Sequence, residues 1–387
     1  METADETRPT VVVYTHSLLE PSMTFILSHA EALGRYRAVY AGARRVNGLT
    51  LPPGRSFTAN RGGAAGLAEE FLFRQFGRTG RFAADLRECR PRLVHAHFGL
   101  SGPAARTLAI ALGVPLVITY HGRDATIADK VVRKSRLGRE FIRGRKAAVS
   151  YASLIIAVSD FIRKRLLARG CPDAKIVVHR NGIDTRFFRR DGQEREGIAL
   201  FVGRFVEKKG CEYLLRALGK LRAEGCPARG VLIGDGPLKP RLLQIAAEAG
   251  ADVAFTGFLP LDQVKDWLGR ASVVAVPSVT AADGDCEGLP TVILEAQAMG
   301  TPVVATRHSG IPEGVIENRS ALLVAERDVG ALAEALRIFM EKPEAVSSFG
   351  AAGRAFVEAN FDIVAQARGL EDLYDRARQG ARSTDDT

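Results

Sequence analysis

The chain has 387 residues, of which 46% are hydrophobic, 25% charged and 7% aromatic. This length predicts about two to three domains, and no apolar run approaches the roughly 20 residues that a membrane-spanning helix needs. The acidic, polar start lacks the pattern of a secretory signal, so export is not expected. The 5 scattered cysteines are typical of reduced thiols, not of disulfides or a zinc site, and we expect a cytoplasmic protein.

Charge is distributed unevenly along the chain. Residues 1–190 carry 32 Lys and Arg against 15 Asp and Glu, a net of +17, whereas the remaining residues carry a net of −7. A basic half can attract nucleic acid, anionic lipid or a phosphorylated substrate. The motifs must distinguish between these three partners.

The first half alternates short apolar runs with longer helical patterns. The predicted strands are residues 11–14, 93–96, 116–119, 154–158 and 175–179. The predicted helices are residues 24–33, 66–89, 103–112, 127–150 and 161–169. Apolar strands that alternate with helices predict a parallel sheet covered on both faces.

An arginine-rich stretch at residues 185–197 is interpreted as a linker, after which the alternation restarts. The predicted strands are then residues 198–202, 230–233, 252–255, 273–276, 302–305 and 322–324. The predicted helices are residues 211–224, 239–249, 261–268, 291–299 and 329–340.

This pattern predicts two α/β domains of similar size, a Rossmann-like N-terminal domain over residues 1–190 and a Rossmann-like C-terminal domain over residues 191–360. In residues 361–387, a last helix could pack back on the N-terminal domain or on the C-terminal one. The tail beyond Arg382 is expected to be frayed.

Residues 203–210 form a basic loop between a predicted strand and a predicted helix. Unpaired amides and the helix dipole favour an anion there, and Arg204 and Lys209 can donate charged hydrogen bonds to a diphosphate. A solvated basic loop is the competing interpretation. The loop is not a P-loop, because the glycines and the Lys-Ser/Thr pair are missing.

A second constellation places two carboxylates at a predicted helix start. Glu287 precedes the helix and could accept hydrogen bonds from sugar hydroxyls, while Glu295, inside it, could chelate a vicinal diol such as ribose. The amides of Gly288 and Leu289 point to where a phosphate could sit. In the competing interpretations, Glu287 only complements the helix dipole and Glu295 lies on a solvated helix face. The apolar neighbours of Glu295 favour a carboxylate that binds a ligand.

The pairing of Gly-Arg-x4-Lys-Gly with Glu-Gly-Leu-Pro-x4-Glu, about 80 residues apart, resembles family 4 glycosyltransferases of the GT-B fold. Further similar segments occur in order at residues 119–124, 157–159, 181–184, 234–237, 256–257 and 300–305. The resemblance implies two Rossmann-like domains with parallel sheets facing across a cleft. It also implies a retaining transferase that moves a hexose from a nucleotide diphosphate sugar to an acceptor, with UDP-sugar favoured and GDP-mannose as the alternative donor.

The resemblance assigns roles to individual residues. Arg204 and Lys209 would hold the diphosphate and stabilise the departing nucleotide, because charge builds up on the leaving oxygen. Glu287 would bind the donor-sugar hydroxyls, Glu295 the ribose, and His121 would approach the sugar from the N-terminal domain. The predicted donor-binding residues are Gly203, Gly234, Gly257, Gly288, Leu289 and Glu295.

No metal or cofactor is expected. Asp283 and Asp285 form an Asp-x-Asp unit that could hold a divalent cation, but their polar surroundings favour a flexible loop. His95 and His97 could bind a metal or end a strand, and without a third ligand at suitable spacing the structural role is favoured.

The acceptor side is expected at the carboxyl ends of the N-terminal strands. His16, His97 and Asp124 are assigned to it, and Asp124 could fix the tautomer or charge of His121. The opening segment around residues 21–26 resembles a subgroup that builds bacterial exopolysaccharides. Its polar residues, Ser22 or Thr24, could cap the next helix.

A saccharide or a lipid-linked acceptor is the expected second substrate. The basic segments 71–82 and 130–146 either lie on an anionic membrane surface or form helices with solvated basic backs, and the sequence favours neither. No recognised nucleic-acid module is present, so no nucleic-acid partner is expected. The sequence does not define the oligomeric state.

Two alternatives of other classes stay open. A GT-B-like sugar-nucleotide epimerase or phosphorylase would keep the fold and change the reaction. A basic nucleic-acid-binding protein would use the positive half, and its binding would fall steeply with salt and ignore nucleotide sugars.

Overall fold

The computed structural model describes residues 8–382 and divides the chain into two compact units. The first unit comprises the chain up to Gly182 together with the residues from Ile363 onward, and the second comprises Ile183–Asp362. The sequence analysis placed the two boundaries after residues 190 and 360 instead. The first boundary differs because the side chains of Ile183 and Phe188 are buried in the core of the second unit.

The first unit contains seven strands and nine helices within the described residues. The strands are β1 Thr10–Leu18, β2 Arg37–Arg45, β3 Ser56–Asn60, β4 Pro91–His97, β5 Leu116–Tyr120, β6 Leu154–Ala157 and β7 Ile176–Val178. The helices before the second unit are α1 Thr24–Glu31, α2 Gly63–Phe76, α3 Gly80–Glu88, α4 Gly102–Leu112, α5 Arg123–Thr126, α6 Asp129–Val132, α7 Arg136–Tyr151 and α8 Asp160–Ala168.

The strands of the first unit form one parallel sheet in the order β3-β2-β1-β4-β5-β6-β7. Neighbouring residues of β1 point to opposite faces, so Val12 joins one apolar cluster and Val13 joins the other. Both faces of the sheet are therefore covered, as the apolar runs predict. The last helix closes the second of these clusters with Leu370 and Tyr374.

The second unit contains a six-stranded parallel sheet in the order β10-β9-β8-β11-β12-β13. Its strands are β8 Ile198–Val202, β9 Arg229–Ile233, β10 Val253–Gly257, β11 Val273–Val276, β12 Val303–Thr306 and β13 Ala321–Val324. Its helices are α9 Cys211–Ala223, α10 Lys239–Ala249, α11 Leu261–Arg270, α12 Thr291–Ala298, α13 Val329–Glu341 and α14 Pro343–Phe361, and α15 Ile363–Arg382 then returns to the first unit.

The strands predicted for the second unit are confirmed to within about two residues, whereas β2 and β3 of the first unit were missed. Strand β3 lies at the edge of its sheet and four of its five positions are only half-buried, so it carries no apolar run. The prediction of a single helix over residues 66–89 was wrong, because Gly77 ends α2 in the left-handed conformation. The predicted helix over residues 127–150 is likewise divided into α6 and α7.

Helix α14 was also missed, because its glycines and serines lower its helix propensity. The glycines have a tertiary reason. A Cβ on Gly350 would lie 2.0 Å from the carbonyl oxygen of Gly300, so the helix passes too close to that backbone for any side chain. Packing thus selects a residue that propensity alone disfavours.

The predicted linker over residues 185–197 is only partly a linker. Its start is folded into the second unit, where Asp184 accepts hydrogen bonds from the N–H groups of Arg186 and Phe187 and Thr185 donates to Asp362. In residues 8–382 no helix is long and apolar enough to cross a membrane. The tail that was expected to be frayed lies outside the described residues.

Candidate functional site

The carboxyl edge of the second sheet brings three predicted glycines together. The N–H of Gly203 donates to the Ile233 carbonyl over 3.0 Å, and the N–H of Gly234 donates to the Gly257 carbonyl over 2.9 Å. A Cβ on Gly234 would lie 1.9 Å from the Gly203 carbonyl oxygen, so only glycine fits there. The ends of β8, β9 and β10 therefore form a close-packed backbone surface without side chains.

Lys209 and Glu287 meet beside this surface. The Lys209 Nζ lies 2.8 Å from Glu287 Oε1, and both side chains are largely buried. A Cβ on Gly203 would lie 3.5 Å from Lys209 Cε, which places the lysine stem against the end of β8. The cation predicted for a diphosphate and the carboxylate predicted for a sugar are thus direct neighbours.

The Glu287 carboxyl is held in its charged form. Burial alone would raise its pKa, but the attraction of Lys209 and then of Lys208 outweighs burial and lowers the pKa to about 2. Glu287 is therefore a carboxylate at any physiological pH. A permanent carboxylate next to a cation suits a group that accepts hydrogen bonds from hydroxyls.

The neighbouring lysine has a different partner. Lys208 Nζ lies 3.1 Å from Asp285 Oδ1, and the N–H of Asp285 donates to Asp283 Oδ1. One carboxylate of the Asp-x-Asp unit is thus in an ion pair and the other accepts a backbone hydrogen bond. The loop that carries them is tied to residues 207–208, because the N–H of Ala282 donates to Glu207.

Glu295 occupies the side of α12, as the sequence indicated. It is half-buried, and burial raises the pKa of its carboxyl to about 7, although a hydrogen bond from Thr291 and the charge of Lys209 act in the opposite direction. The influence of Lys209 shows that Glu295 and Lys209 share one electrostatic environment. A carboxyl with this pKa is protonated for part of the time near neutral pH.

The remaining predicted donor residues differ in their surroundings. Leu289 buries its side chain in the core, while its N–H donates no hydrogen bond within residues 8–382. Gly288 is buried next to it. The Arg204 guanidinium is exposed and has no ion-pair partner in the described part of the chain. An unpaired amide and an unpaired guanidinium are the groups that an anionic ligand would engage.

In the first unit, His121 follows the carboxyl end of β5. Its Nε2 lies 3.0 Å from His97 Nδ1, and its ring packs against Phe25 and Phe98 with centroid distances of 5.1 and 4.7 Å. Burial lowers the pKa of His121 to about 3 and holds that of His97 far below the usual range, so both rings are neutral. The buried Nδ1 of His121 has no hydrogen-bond partner among the described residues.

Asp124 does not contact the imidazole of His121, so the prediction that it fixes the tautomer was wrong. Its carboxylate instead accepts hydrogen bonds from the backbone N–H groups of Gly99, His121 and Gly122, at distances between 2.6 and 3.4 Å. The tautomer of His121 is coupled to His97 instead. Asp124 shapes the loop, because its carboxylate holds three amides in place.

The other predicted acceptor residue, His16, lies at the end of β1. Its pKa falls to about 4 because of burial and the nearby Arg74 and Arg44. His95 bonds Tyr374 and Thr119, each over 2.7 Å, which confirms its structural role. Met23 occupies the N-cap of α1 and no side chain caps that helix, so the proposed Ser22 or Thr24 cap was wrong.

Sequence reasoning missed two residues behind Glu287, His308 and Glu326. The N–H of Glu287 lies 3.4 Å from His308 Nε2, and His308 Nδ1 lies 2.7 Å from Glu326 Oε1. They follow the predicted strands at residues 302–305 and 322–324. Parallel strands end at one edge of a sheet, so this position was the available signal.

The second unit also contains a cavity of about 890 Å³ that includes none of the predicted site residues. Gly197 and Ser272 in its wall precede strands β8 and β11, so it lies at the amino edge of the sheet. Two half-buried arginines in its wall donate to backbone carbonyls at the end of α12, Arg195 to Gly300 and Arg354 to Ala298. These arginines satisfy a helix terminus.

Comparison with known proteins agrees with this geometry. Residues 52–187 match the family model described as Glycosyltransferase Family 4, and residues 196–342 match Glycosyl transferases group 1. The chain is 33% identical over 288 residues to the amylovoran biosynthesis glycosyltransferase AmsK of Erwinia amylovora, covering 72% of this chain and 69% of that protein. Across the first curated relatives the match spans between 60% and 76% of their own length.

A second relative is the GDP-mannose-dependent alpha-(1-6)-phosphatidylinositol monomannoside mannosyltransferase of Mycolicibacterium smegmatis, which is 28% identical and matches 74% of this chain and 76% of that protein. Among solved structures, Anabaena HepE in complex with UDP and glucose is similar with a TM-score of 0.73 and 18% identity, covering 95% of this chain and 100% of HepE. The likeness confirms the GT-B fold. The chain therefore belongs to glycosyltransferase family 4.

Proposed function

We propose that the chain is a retaining, metal-independent hexosyltransferase that uses a nucleotide diphosphate sugar, with UDP-hexose favoured and GDP-mannose as the alternative. The contact that carries this proposal is the 2.8 Å pair of Lys209 and Glu287 beside the bare backbone of Gly203 and Gly234. A diphosphate needs cations and amides, and a hexose needs a hydroxyl acceptor. At this edge of the second sheet, Lys209 supplies the cation and Glu287 supplies the hydroxyl acceptor.

The proposed chemistry follows from where charge develops. Cleavage of the glycosyl–phosphate bond leaves negative charge on the diphosphate and positive charge on the sugar ring. Lys209 and the unpaired Arg204 would neutralise the departing nucleotide, while the Glu287 carboxylate would accept hydrogen bonds from sugar hydroxyls. Because the ion pair already holds Lys209 and Glu287 together, little reorganisation of these two groups would be needed during transfer.

Two further groups are proposed to contact substrate, one in each unit. In the second unit, Glu295 would accept both ribose hydroxyls once it has lost its proton. In the first unit, the unpartnered Nδ1 of the neutral His121 would hydrogen-bond to a substrate hydroxyl. In its neutral state this ring can donate or accept a hydrogen bond without adding charge to the reacting centre.

Charge-removing variants test the donor site. Lys209→Met and Glu287→Gln should each lower kcat by about 10²- to 10³-fold, the usual loss when one stabilising contact to the transition state is removed. Lys220→Met and Glu224→Gln are matched controls, because they break an exposed ion pair on the far end of α9. Near-normal transfer by both site variants would refute the assignment.

Product analysis tests the reaction type. The anomeric configuration of the product, read by NMR, should equal that of the donor, and EDTA should leave the rate unchanged. Donor incubated without acceptor should give at most slow hydrolysis. Conversion of the donor into an isomer would instead favour an epimerase, and release of a sugar phosphate on addition of inorganic phosphate would favour a phosphorylase.

We also propose that the acceptor is a saccharide, free or lipid-linked, and that the enzyme works in the cytoplasm against an anionic membrane surface. Helix α2 carries three exposed apolar residues, Leu67, Phe71 and Phe76, whose exposed fractions are 64%, 45% and 67%. The guanidinium of Arg136, on α7, lies 5.2 Å above the Phe71 ring. Arg136 belongs to the basic segment 130–146, whose exposed cations also include Arg133, Lys134, Arg139 and Arg143, and Arg78 is exposed two residues after Phe76.

This surface combines the two features that bind anionic bilayers. Aromatic side chains enter the interface, and each basic residue near it contributes about 1 kcal/mol. Vesicles with about 30% anionic lipid should retain the wild-type protein at low salt. The double variant Phe71→Ser/Phe76→Ser should stay in solution. Ile110→Ser, which changes an exposed residue on α4, is the matched control. Equal binding by the double variant would refute the surface.

A further inference from the structure

A buried histidine stands directly behind the candidate sugar-binding carboxylate. His308 follows β12 and is only 3% exposed. A backbone N–H can only donate, so the Glu287 N–H, 3.4 Å away, requires His308 Nε2 to be the acceptor. The ring proton then resides on Nδ1 and is donated to Glu326 Oε1 over 2.7 Å. The two contacts together favour the arrangement of His308 with its proton on Nδ1 and an open Nε2.

Glu326 extends this contact to the other end of the same loop. Its Oε2 accepts the N–H of Thr280 over 2.9 Å, and Arg327 donates both to this carboxylate and to the Thr280 carbonyl. We call residues 277–290 the donor loop. One histidine and one carboxylate thus hold the donor loop at Thr280 and at Glu287, although they follow two different strands.

The backbone is strained directly after each of the two supporting residues. Ser309 and Arg327, which directly follow His308 and Glu326, have φ values of 44° and 64°. This left-handed conformation costs a non-glycine residue on the order of 1 kcal/mol and persists where surrounding contacts enforce it. The strain therefore indicates that the positions of the histidine and the carboxylate are specified by more than local preference.

The contact from His308 holds the Glu287 backbone against the attraction between the Glu287 carboxylate and Lys209. The Glu287 carboxylate is already 2.8 Å from Lys209, and its side chain would follow that cation if its backbone were free to move. Fixing the N–H of Glu287 leaves the side-chain torsions as its main freedom. A displacement of about 1 Å in a group that orients a substrate can cost about 100-fold in rate.

We propose that His308 and Glu326 are positioning residues that set where the Glu287 carboxylate meets the donor sugar. This inference rests on the proposed function of Glu287. The tautomer of His308 links the two: Nε2 must be free of a proton to hold the Glu287 amide, and Glu326 keeps the proton on Nδ1. Neither residue needs to touch the substrate itself.

The test is a double-mutant cycle between His308 and Glu287. His308→Phe keeps the ring volume and removes both hydrogen bonds, and should lower kcat about 10- to 100-fold with little change in the acceptor KM. In a Glu287→Gln background the same substitution should cost less than about 3-fold, because a residue that acts through Glu287 has nothing left to position. His308→Gln, which retains an acceptor and a donor, should recover part of the rate.

Arg307→Gln is the matched control, because the exposed Arg307 precedes His308 and pairs with Glu317. It should leave kcat unchanged. If His308→Phe does not fold by circular dichroism, the cycle is run with His308→Gln and with Glu326→Leu. Losses that simply multiply with that of Glu287→Gln, or wild-type kcat in the folded variants, would overturn the inference. Full activity of Glu287→Gln alone would instead refute the proposed function, so the two failures are distinguishable.

Discussion

Glu295 provides a pH-dependent prediction with an unusual sign. Burial raises the pKa of its carboxyl to about 7 from the ordinary value of 4.5. Between these values the folded chain keeps a proton that the unfolded chain has released. The stability that this proton contributes is fully present below pH 4.5 and is lost as the pH rises through 7, because the folded state binds the extra proton.

The size of the effect follows from the two pKa values. One pKa unit corresponds to about 1.4 kcal/mol, so a gap of about 2.5 corresponds to about 3 kcal/mol over the whole range. About 2 to 3 kcal/mol of this falls between about pH 5 and pH 8. Glu295→Gln replaces the carboxyl by a neutral group of the same shape. It should match the wild type at about pH 5 and exceed its free energy of unfolding by about 2 to 3 kcal/mol at about pH 8.

The assay is chemical denaturation of both proteins at the two pH values, taking the difference between variant and wild type at each. Glu344→Gln, at an exposed position in the first turn of α14, is the control and should show the same difference at both. Calorimetric titration should show that the more stable Glu295→Gln variant binds UDP more weakly than the wild type, because its amide cannot accept hydrogen bonds from both ribose hydroxyls. An equal difference in unfolding free energy at both pH values would refute the reasoning.

Three further substitutions probe the frame around the site. Tyr374→Phe removes the hydroxyl that bonds the buried His95 and should cost the first unit about 1 to 3 kcal/mol, measured by thermal unfolding; an unchanged Tm would contradict this. Gly350→Ala should destabilise the second unit despite a gain of about 1 kcal/mol in helix propensity, whereas Gly330→Ala, with space for a Cβ, should be neutral or stabilising. Asp124→Asn places an amide N–H₂ against backbone donors and should lower stability by about 2 kcal/mol, together with activity; full retention of both would show that the loop does not need the carboxylate.

The chemical groups of the candidate donor site could be read from the sequence. Apolar runs with turn residues between them define the six strands of the second sheet, and a glycine, a cation and a carboxylate stand at the strand ends where ligands bind. Such information lies in consecutive residues, so it can be interpreted without the fold. The two parallel sheets were predicted from these patterns and the family from the resemblance of the motifs, and both predictions are confirmed.

The sequence did not allow us to predict which side chains form ion pairs and hydrogen bonds with each other. Lys208 and Lys209 are identical neighbours in sequence, yet the first pairs with Asp285 and the second with Glu287. His308 is one of 7 histidines, and its proposed role depends on the contact that it makes with the donor loop beyond the end of β12. Contacts between distant segments depend on how the strands are ordered in the sheet, which no local pattern encodes.

Secondary structure, too, depends partly on local sequence and partly on tertiary packing. Helix α14 has glycines where the backbone of Gly300 approaches, and β3 is polar because it lies at a sheet edge. The helix propensity that α14 contradicts amounts to only about 1 kcal/mol per residue and yields to packing, and an edge strand such as β3 needs no apolar run. The sequence by itself determined the alternation of strands and helices and the chemical groups at the strand ends. The tertiary structure decided which groups pair and where each unit ends, because burial and close approach depend on residues far apart in the chain.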